Sequence, residues 1–154
     1  MTKAKHEKSA GAVVYYYDEE RSEPIFLLLQ NTLKKTYWEF PKGHIENETI
    51  EETVKREVEE ETGLKNFIIV PGFKYYLRWF FKFQGQLISK EAFYLLVEIS
   101  EQDKDNVKIS HEHEKAEWMD IETARKKINI KANLNLLKKA YQVIEEYKKQ
   151  KRLL

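Results

Sequence analysis

The 24-residue stretch from Pro41 to Leu64 (PKGHIENETIEETVKREVEEETGL) constrains this chain more than any other. It opens on a turn, Pro41-Lys42-Gly43, then runs from His44 to Thr62 without Gly or Pro and closes on Gly63-Leu64. The pattern predicts a loop, a helix over Thr49–Thr62 and a helix-stopping glycine. At about 100° per residue, Ile50, Val54 and Val58 form one apolar stripe, and Glu51, Glu52, Lys55 and Glu59 point away from it. Glu57, Glu60 and Glu61 fall within an arc of about 100° that borders and partly overlaps the stripe. Carboxylates crowded at i, i+3 and i+4 on the inward side repel one another and resist desolvation. A positive partner is therefore expected among them. Hard oxygen donors at a helix end suit Mg²⁺ or Mn²⁺ better than zinc, which favours His and Cys.

A surface helix merely rich in glutamate would be the commoner outcome on composition, because glutamate is a good helix former. The order of the residues points elsewhere. Arg56-Glu57-Val58-Glu59-Glu60-Glu61-Thr62-Gly63-Leu64 resembles the core of the Nudix box, R-E-U-x-E-E-x-G-U with U apolar. Glu48 precedes Arg56 with seven residues between them, as in that family. Gly43 stands four residues clear of Glu48 where the family has five, so this loop is one residue short. The resemblance implies a Nudix α/β/α sandwich, a mixed β-sheet between helices.

At 154 residues the chain is long enough for one domain with a full core. Residues 1–8 (MTKAKHEK) are expected to be a flexible end, and 9–154 a single domain. No stretch has the apolar length of a membrane span. There are no cysteines, which excludes disulfides and thiol chemistry and makes a cytoplasmic location the expectation. A net charge of +1 gives no support to a stable nucleic-acid partner, although it permits a local basic strip. Nothing in the sequence specifies an oligomeric state.

Ala10–Tyr17 and Ile25–Gln30 read as buried strands, and Asn31–Thr36 as a loop. Phe67–Val70 reads as a short strand. Phe73–Phe83 alternates strictly, with Phe73, Tyr75, Leu77, Trp79, Phe81 and Phe83 on one face and Lys74, Tyr76, Arg78, Phe80 and Lys82 on the other. Gln84-Gly85-Gln86 turns it into a hairpin partner, Leu87–Ile99. Glu101–Asn106 is expected as polar loop and Trp118-Met119-Asp120 as the end of a last short strand. Asp120 or Thr123 would cap the helix that follows. A final helix from about Asn133 carries Leu134, Leu137, Tyr141, Ile144 and Tyr147 at helical spacing.

Ser110-His111-Glu112-His113-Glu114 is the second informative cluster. An H-x-H pair is half of a transition-metal site, but His6 and His44 are the only other histidines and a polar loop is the simpler account. The cluster, however, resembles S-H-E-H of the asymmetric diadenosine tetraphosphate hydrolases, a Nudix subfamily. There, a glutamate six residues before a tryptophan reaches the metal site, and Glu112 stands six before Trp118. Phe26 to Gln30, Pro41 to His44 and Gly72 to Lys74 look like the same subfamily, and the likeness runs from Ser9 to about Tyr141.

What the resemblance implies is specific. Glu57, Glu60, Glu61 and Glu112 would hold the metal with the Gly43 carbonyl, and Arg56 would pair with a box glutamate and orient it. Lys42, His44 and Lys90 would neutralise a polyphosphate chain. Lys90 matches the family's phosphate-binding lysine, and as plain sequence it is equally a solvated edge lysine. Trp79 stands where an aromatic stacks on adenine, although a strand tryptophan is more often core. The second stacking aromatic of the family is replaced by Ile130. The implied reaction is metal-assisted hydrolysis of diadenosine tetraphosphate to ATP and AMP, with Glu60 and Glu112 both candidates for the general base. The alternatives are a pyrophosphohydrolase acting on (d)NTPs or RNA 5′ ends, and a silent nucleotide sensor. A sensor has no need to retain the costly Glu57, Glu60 and Glu61 cluster.

Overall fold

The structure is a computed structural model that describes residues 4–33 and 37–153. Residues 1–3 of the expected flexible end, and 34–36 of the expected loop, lie outside the described residues. Eight strands and three helices follow in the order β1 (Lys5–Asp18), β2 (Glu23–Asn31), β3 (Trp38–Glu39), β4 (Lys42–His44), α1 (Ile50–Thr62), β5 (Ile68–Ile69), β6 (Tyr75–Phe83), β7 (Gln86–Glu98), β8 (His113–Met119), α2 (Ile121–Lys127) and α3 (Lys131–Leu153).

The sheet is mixed. β1 runs parallel to β7 from Lys5 opposite Ile88 to Tyr15 opposite Glu98. On its other side β1 pairs antiparallel with β4 at Ser9–Gly11, and with β2 at Tyr15–Asp18. β8 and β3 add to β2, while β5 and β6 add to β7. Both faces are covered, as the continuous apolar runs of β1 and β2 predict. Val13, Tyr15, Phe26, Leu28, Tyr94 and Leu96 pack on one face beneath Leu136, Leu137, Ala140 and Ile144 of α3. Ala12, Val14, Leu27, Leu29, Leu95 and Val97 pack on the other beneath Val54 and Val58 of α1. This is the expected sandwich of helix, sheet and helix.

α1 begins where its sequence says it should. Thr49 accepts from the Glu52 amide and Glu52 reaches back to the Thr49 amide, a capping box that satisfies two otherwise orphan donors. Gly63 ends the helix at φ 76°, a left-handed conformation that costs glycine nothing. Asp120, rather than Thr123, caps α2 and accepts from the Thr123 amide at 2.8 Å.

Several segments differ from the sequence expectations. The strand expected over Phe73–Phe83 begins at Tyr75, the one over Phe67–Val70 is only Ile68–Ile69, and Lys42-Gly43 of the expected turn are strand. Lys5–Lys8, expected in the flexible end, are strand, because β7 offers a parallel ladder that short-range patterning cannot reveal. Glu101–Asn106 is a 3₁₀ turn capped by Ser100, not an open loop. β8 starts at His113, its polar half held by pairing with β2 instead of by an apolar face. α3 begins at Lys131, two residues before the expected Asn133. Among the described residues no helix is long and apolar enough to cross a membrane.

Candidate active site

α1 carries its acids toward β4. Glu57 and Glu61, one turn apart, are buried to 8% and 5% residual exposure. Glu60 is different, with a side chain 58% exposed at the rim. Helix geometry explains it: Glu60 falls short of Glu57 by about 60° and Glu61 passes it by about 40°, which leaves Glu60 to the side. The expectation that all three face inward therefore holds for two of them. β4 receives Glu61, whose Oε2 accepts the Lys42 amide at 3.2 Å. Glu57 lies against Gly43 so closely that a Cβ there would stand 2.0 Å from Oε1. A side chain at position 43 would push this carboxylate aside.

Arg56 supplies positive charge to the cluster. Its guanidinium meets Glu57 Oε1 at 2.7 Å, Glu60 Oε2 at 3.4 Å and the His44 carbonyl at 2.9 Å. Two further bonds go to Glu48, at 2.8 and 3.0 Å. The loop that is one residue short closes with Asn47 at φ 52°, in the left-handed region that asparagine tolerates, and still presents Glu48 to Arg56. The Arg56 hydrogen bonds hold the Glu48 carboxyl down at about 2.

Glu61 has no such partner. Burial, then the charges of Glu57 and Glu112, push its carboxyl up to about 9, against the pull of the Lys42 amide. Burial also raises Glu57; Arg56 opposes this, while Glu60 and Glu112 add to it. Glu112 sits just before β8, with its carbonyl accepting the Thr32 hydroxyl and its amide reaching Ser110 Oγ at 3.4 Å. It lines the same cavity of about 630 Å³ as Lys42, Gly43, His44, Arg56, Glu57, Glu60, Glu61 and Lys90. Glu112 comes to this cavity from the far side of the sequence, 52 residues after Glu60.

The donor chemistry fits a hard divalent cation. Two desolvated carboxylates and a rim carboxylate line one cavity with Gly43, and the carboxylates' mutual repulsion leaves charge that Arg56 alone does not match. Among the described residues no three acidic or imidazole side chains close into a ligand set as they stand.

Lys42 lies between this cavity and an apolar one of about 330 Å³ lined by Leu77, Trp79, Tyr94, Ile130 and Asn133. Its Nζ stands 5.2 Å from the Trp79 ring centroid. Burial and then Lys90 lower the Lys42 pKa, while Glu39 and Glu61 oppose them. Trp79 and Ile130, distant in sequence, line one apolar space. Lys90 lines the carboxylate cavity but is paired with Glu7, Nζ to Oε2 at 3.6 Å. His44 is exposed at the rim.

The sequence did not single out Glu39, Glu7 or the part played by His113. His113 is buried and its Nε2 meets Glu39 Oε1 at 3.1 Å, beside the Asn31 amide at 2.9 Å. His111 is exposed, so the H-x-H pair does not converge. Burial raises the Glu39 carboxyl, but His113, Asn31 and Lys42 outweigh it and leave it below its ordinary range. A lone acid inside the apolar run Tyr37-Trp38-Glu39-Phe40 was the available signal. A larger cavity, about 790 Å³ beside Lys65 and Lys148, gathers no desolvated carboxylate cluster. The buried carboxylates line the smaller one.

The pattern that defines the NUDIX domain matches residues 5–140, and the chain belongs to this family of hydrolases. It is 30% identical over 120 residues to the asymmetrical bis(5′-nucleosyl)-tetraphosphatase of Caenorhabditis elegans, covering 77% of this chain and 83% of that protein. The crystal structure of a binary complex of a C. elegans Ap4A hydrolase superposes with a TM-score of 0.77 at 28% identity, over 91% of this chain and 98% of the other. The E. coli dihydroneopterin triphosphate pyrophosphohydrolase shares the fold, with a TM-score of 0.62 at 19% identity over 90% and 98% of the two chains.

Proposed function

We propose that this Nudix hydrolase cleaves dinucleoside polyphosphates, converting diadenosine tetraphosphate and water to ATP and AMP. The observation that carries this is the junction at Lys42. Lys42 lines both a cavity of carboxylates and cations and an apolar cavity bordered by Trp79, the layout that a nucleoside on a long phosphate chain requires. Similarity to the C. elegans tetraphosphatase along most of both chains supports the same substrate class.

Glu57, Glu60, Glu61 and Glu112, with the Gly43 carbonyl, would hold Mg²⁺ or Mn²⁺. When bound, such an ion polarises phosphate oxygens and lowers the pKa of water. The chain's own groups do the rest. Arg56 fixes Glu57 by hydrogen bonding and ties α1 to β4 through the His44 carbonyl. Lys42, His44 and Lys90 neutralise phosphate oxygens as charge develops on them. Glu60 and Glu112 are the carboxylates that solvent reaches, and either can take the proton from the attacking water. The water oxygen bonds to phosphorus, the bridging P–O bond opens, and the leaving phosphate departs as part of ATP or AMP.

Product chromatography with Mg²⁺ present tests the proposal. ATP and AMP in equal amounts are expected. ADP as the sole product would mean symmetric cleavage and overturn it. A kcat/KM far higher for a simple (d)NTP or a triphosphorylated RNA end would assign the site to pyrophosphohydrolysis.

A further inference from the structure

The β6–β7 hairpin has two faces, and only one belongs to the site described above. Trp79 and Lys90 face the α3 side, where Trp79 borders the apolar cavity and Lys90 the carboxylate cavity. Tyr76, Arg78, Phe80 and Lys82 face the α1 side, where the sheet extends beyond the helix and lies open. Tyr76 is 48% exposed and Phe80 56%. Large apolar groups left in water at this density mark an interaction surface more often than chance.

The surface has a chemical signature beyond exposure. Aromatic and cationic side chains alternate along it at the two-residue step of a strand, about 6.7 Å. The guanidinium of Arg78 lies 5.0 Å from the Phe80 ring centroid, and its Nε meets Ser89 Oγ at 3.4 Å, which holds it flat on the sheet. Tyr76 packs on Phe93 with centroids 5.1 Å apart. Lys8, exposed on the neighbouring β1, extends the positive rim, and Glu91 is the single acid that the register places among these groups on β6 and β7. A partner that fits must bring flat π faces and regularly spaced negative charge together. A second copy of this chain would bring more cations to β6, whose residues include Arg78 and Lys82 and no acid.

We infer that the open face of the β6–β7 hairpin binds single-stranded nucleic acid, with bases stacked on Tyr76 and Phe80 and phosphates met by Arg78, Lys82 and Lys8. Such binding is tolerant of sequence, because every base has a π face. It is also sensitive to salt, since each phosphate contact releases counterions. The balanced net charge of the chain is no obstacle, because β6 itself carries Arg78 and Lys82 and no acid.

Fluorescence anisotropy of the full chain with an oligouridylate of about ten nucleotides, labelled and lacking a 5′ phosphate, tests this. Oligothymidylate in parallel separates RNA from DNA, and a duplex of similar length should bind far more weakly. Saturable, salt-sensitive binding is expected, weakened about tenfold or more by Phe80→Ala and further with Tyr76→Ala. Lys82→Glu should flatten the salt dependence. Phe80→Ala should leave diadenosine tetraphosphate hydrolysis and the melting temperature unchanged. Arg78 also borders the apolar cavity, so its loss would disturb both sites. No saturable binding, or binding that Trp79→Ala and excess ATP abolish while Phe80→Ala does not, would overturn the inference. So would a dimer that Phe80→Ala converts to monomer without any oligonucleotide binding, since the surface would then belong to a second copy.

Discussion

Glu57, Glu60 and Glu61 are chemically identical, and their positions on one helix separate them. Glu57 has an arginine, Glu61 has a backbone amide and a deep setting, and Glu60 has solvent. Glu60→Gln keeps the shape of the side chain and removes a candidate ligand and base. We expect kcat to fall by about 10²-fold or more, with the circular-dichroism melting curve unchanged or shifted upward, because a repelling cluster loses one charge. EDTA should abolish wild-type turnover. Full activity of Glu60→Gln with EDTA present would end the metal hypothesis. The three box glutamates and Arg56 were legible because α1 places them within two turns of one another. Glu39 and His113 meet across 74 positions, and no local pattern records such a meeting.

At the scale of elements, capping decided the helices and pairing decided the strands. Asp120 caps α2 and also pairs with Arg21, Nη2 to Oδ2 at 3.2 Å. The Thr123 bonds first, and then Arg21, hold the Asp120 carboxyl below its ordinary value. A depressed folded pKa means stability that is present above the ordinary aspartate value and is lost as pH falls through the folded one. Asp120→Ala should therefore cost about 1 kcal/mol near neutral pH. Urea melts should show the difference shrinking below about pH 4. A cost that persists unchanged in acid would mean packing rather than the charged cap. The strand ends misread from sequence, Lys5–Lys8 and His113–Glu117, are polar segments held by a neighbour's backbone. Backbone ladders leave no trace in side-chain hydropathy.

The whole molecule joins a charged cavity to an apolar one through Lys42. Trp79 borders the apolar cavity with Ile130, and an isoleucine cannot stack as a second aromatic would. One base–aromatic stack is worth roughly 1–3 kcal/mol, so a base held mainly on one face should be discriminated weakly. Guanine-containing tetraphosphates should be cleaved within about tenfold of the adenine compound, a difference of about 1.4 kcal/mol. Steady-state kinetics on both substrates measure it, and Ile130→Tyr should widen the gap. A wild-type preference for adenine well beyond tenfold would show that groups other than stacking read the base.

By itself the sequence determined the sandwich class, α1 with its caps, the box glutamates and Arg56, and the alternating faces of β6. The helix, its acids and the strand faces rest on periodicity, capping or spacing within a few turns of chain, and the sandwich class rests on the family resemblance that the box carries. Only the tertiary structure decided which acids are desolvated, that Glu112 shares a cavity with α1, and that Glu39 holds His113 beside Lys42. It also decided that Glu7 stands against Lys90 and that Tyr76 and Phe80 remain uncovered. Those facts depend on how β1, β4, β7 and β8 stack side by side. Burial and long-range charge belong to the packed sheet and to no segment alone.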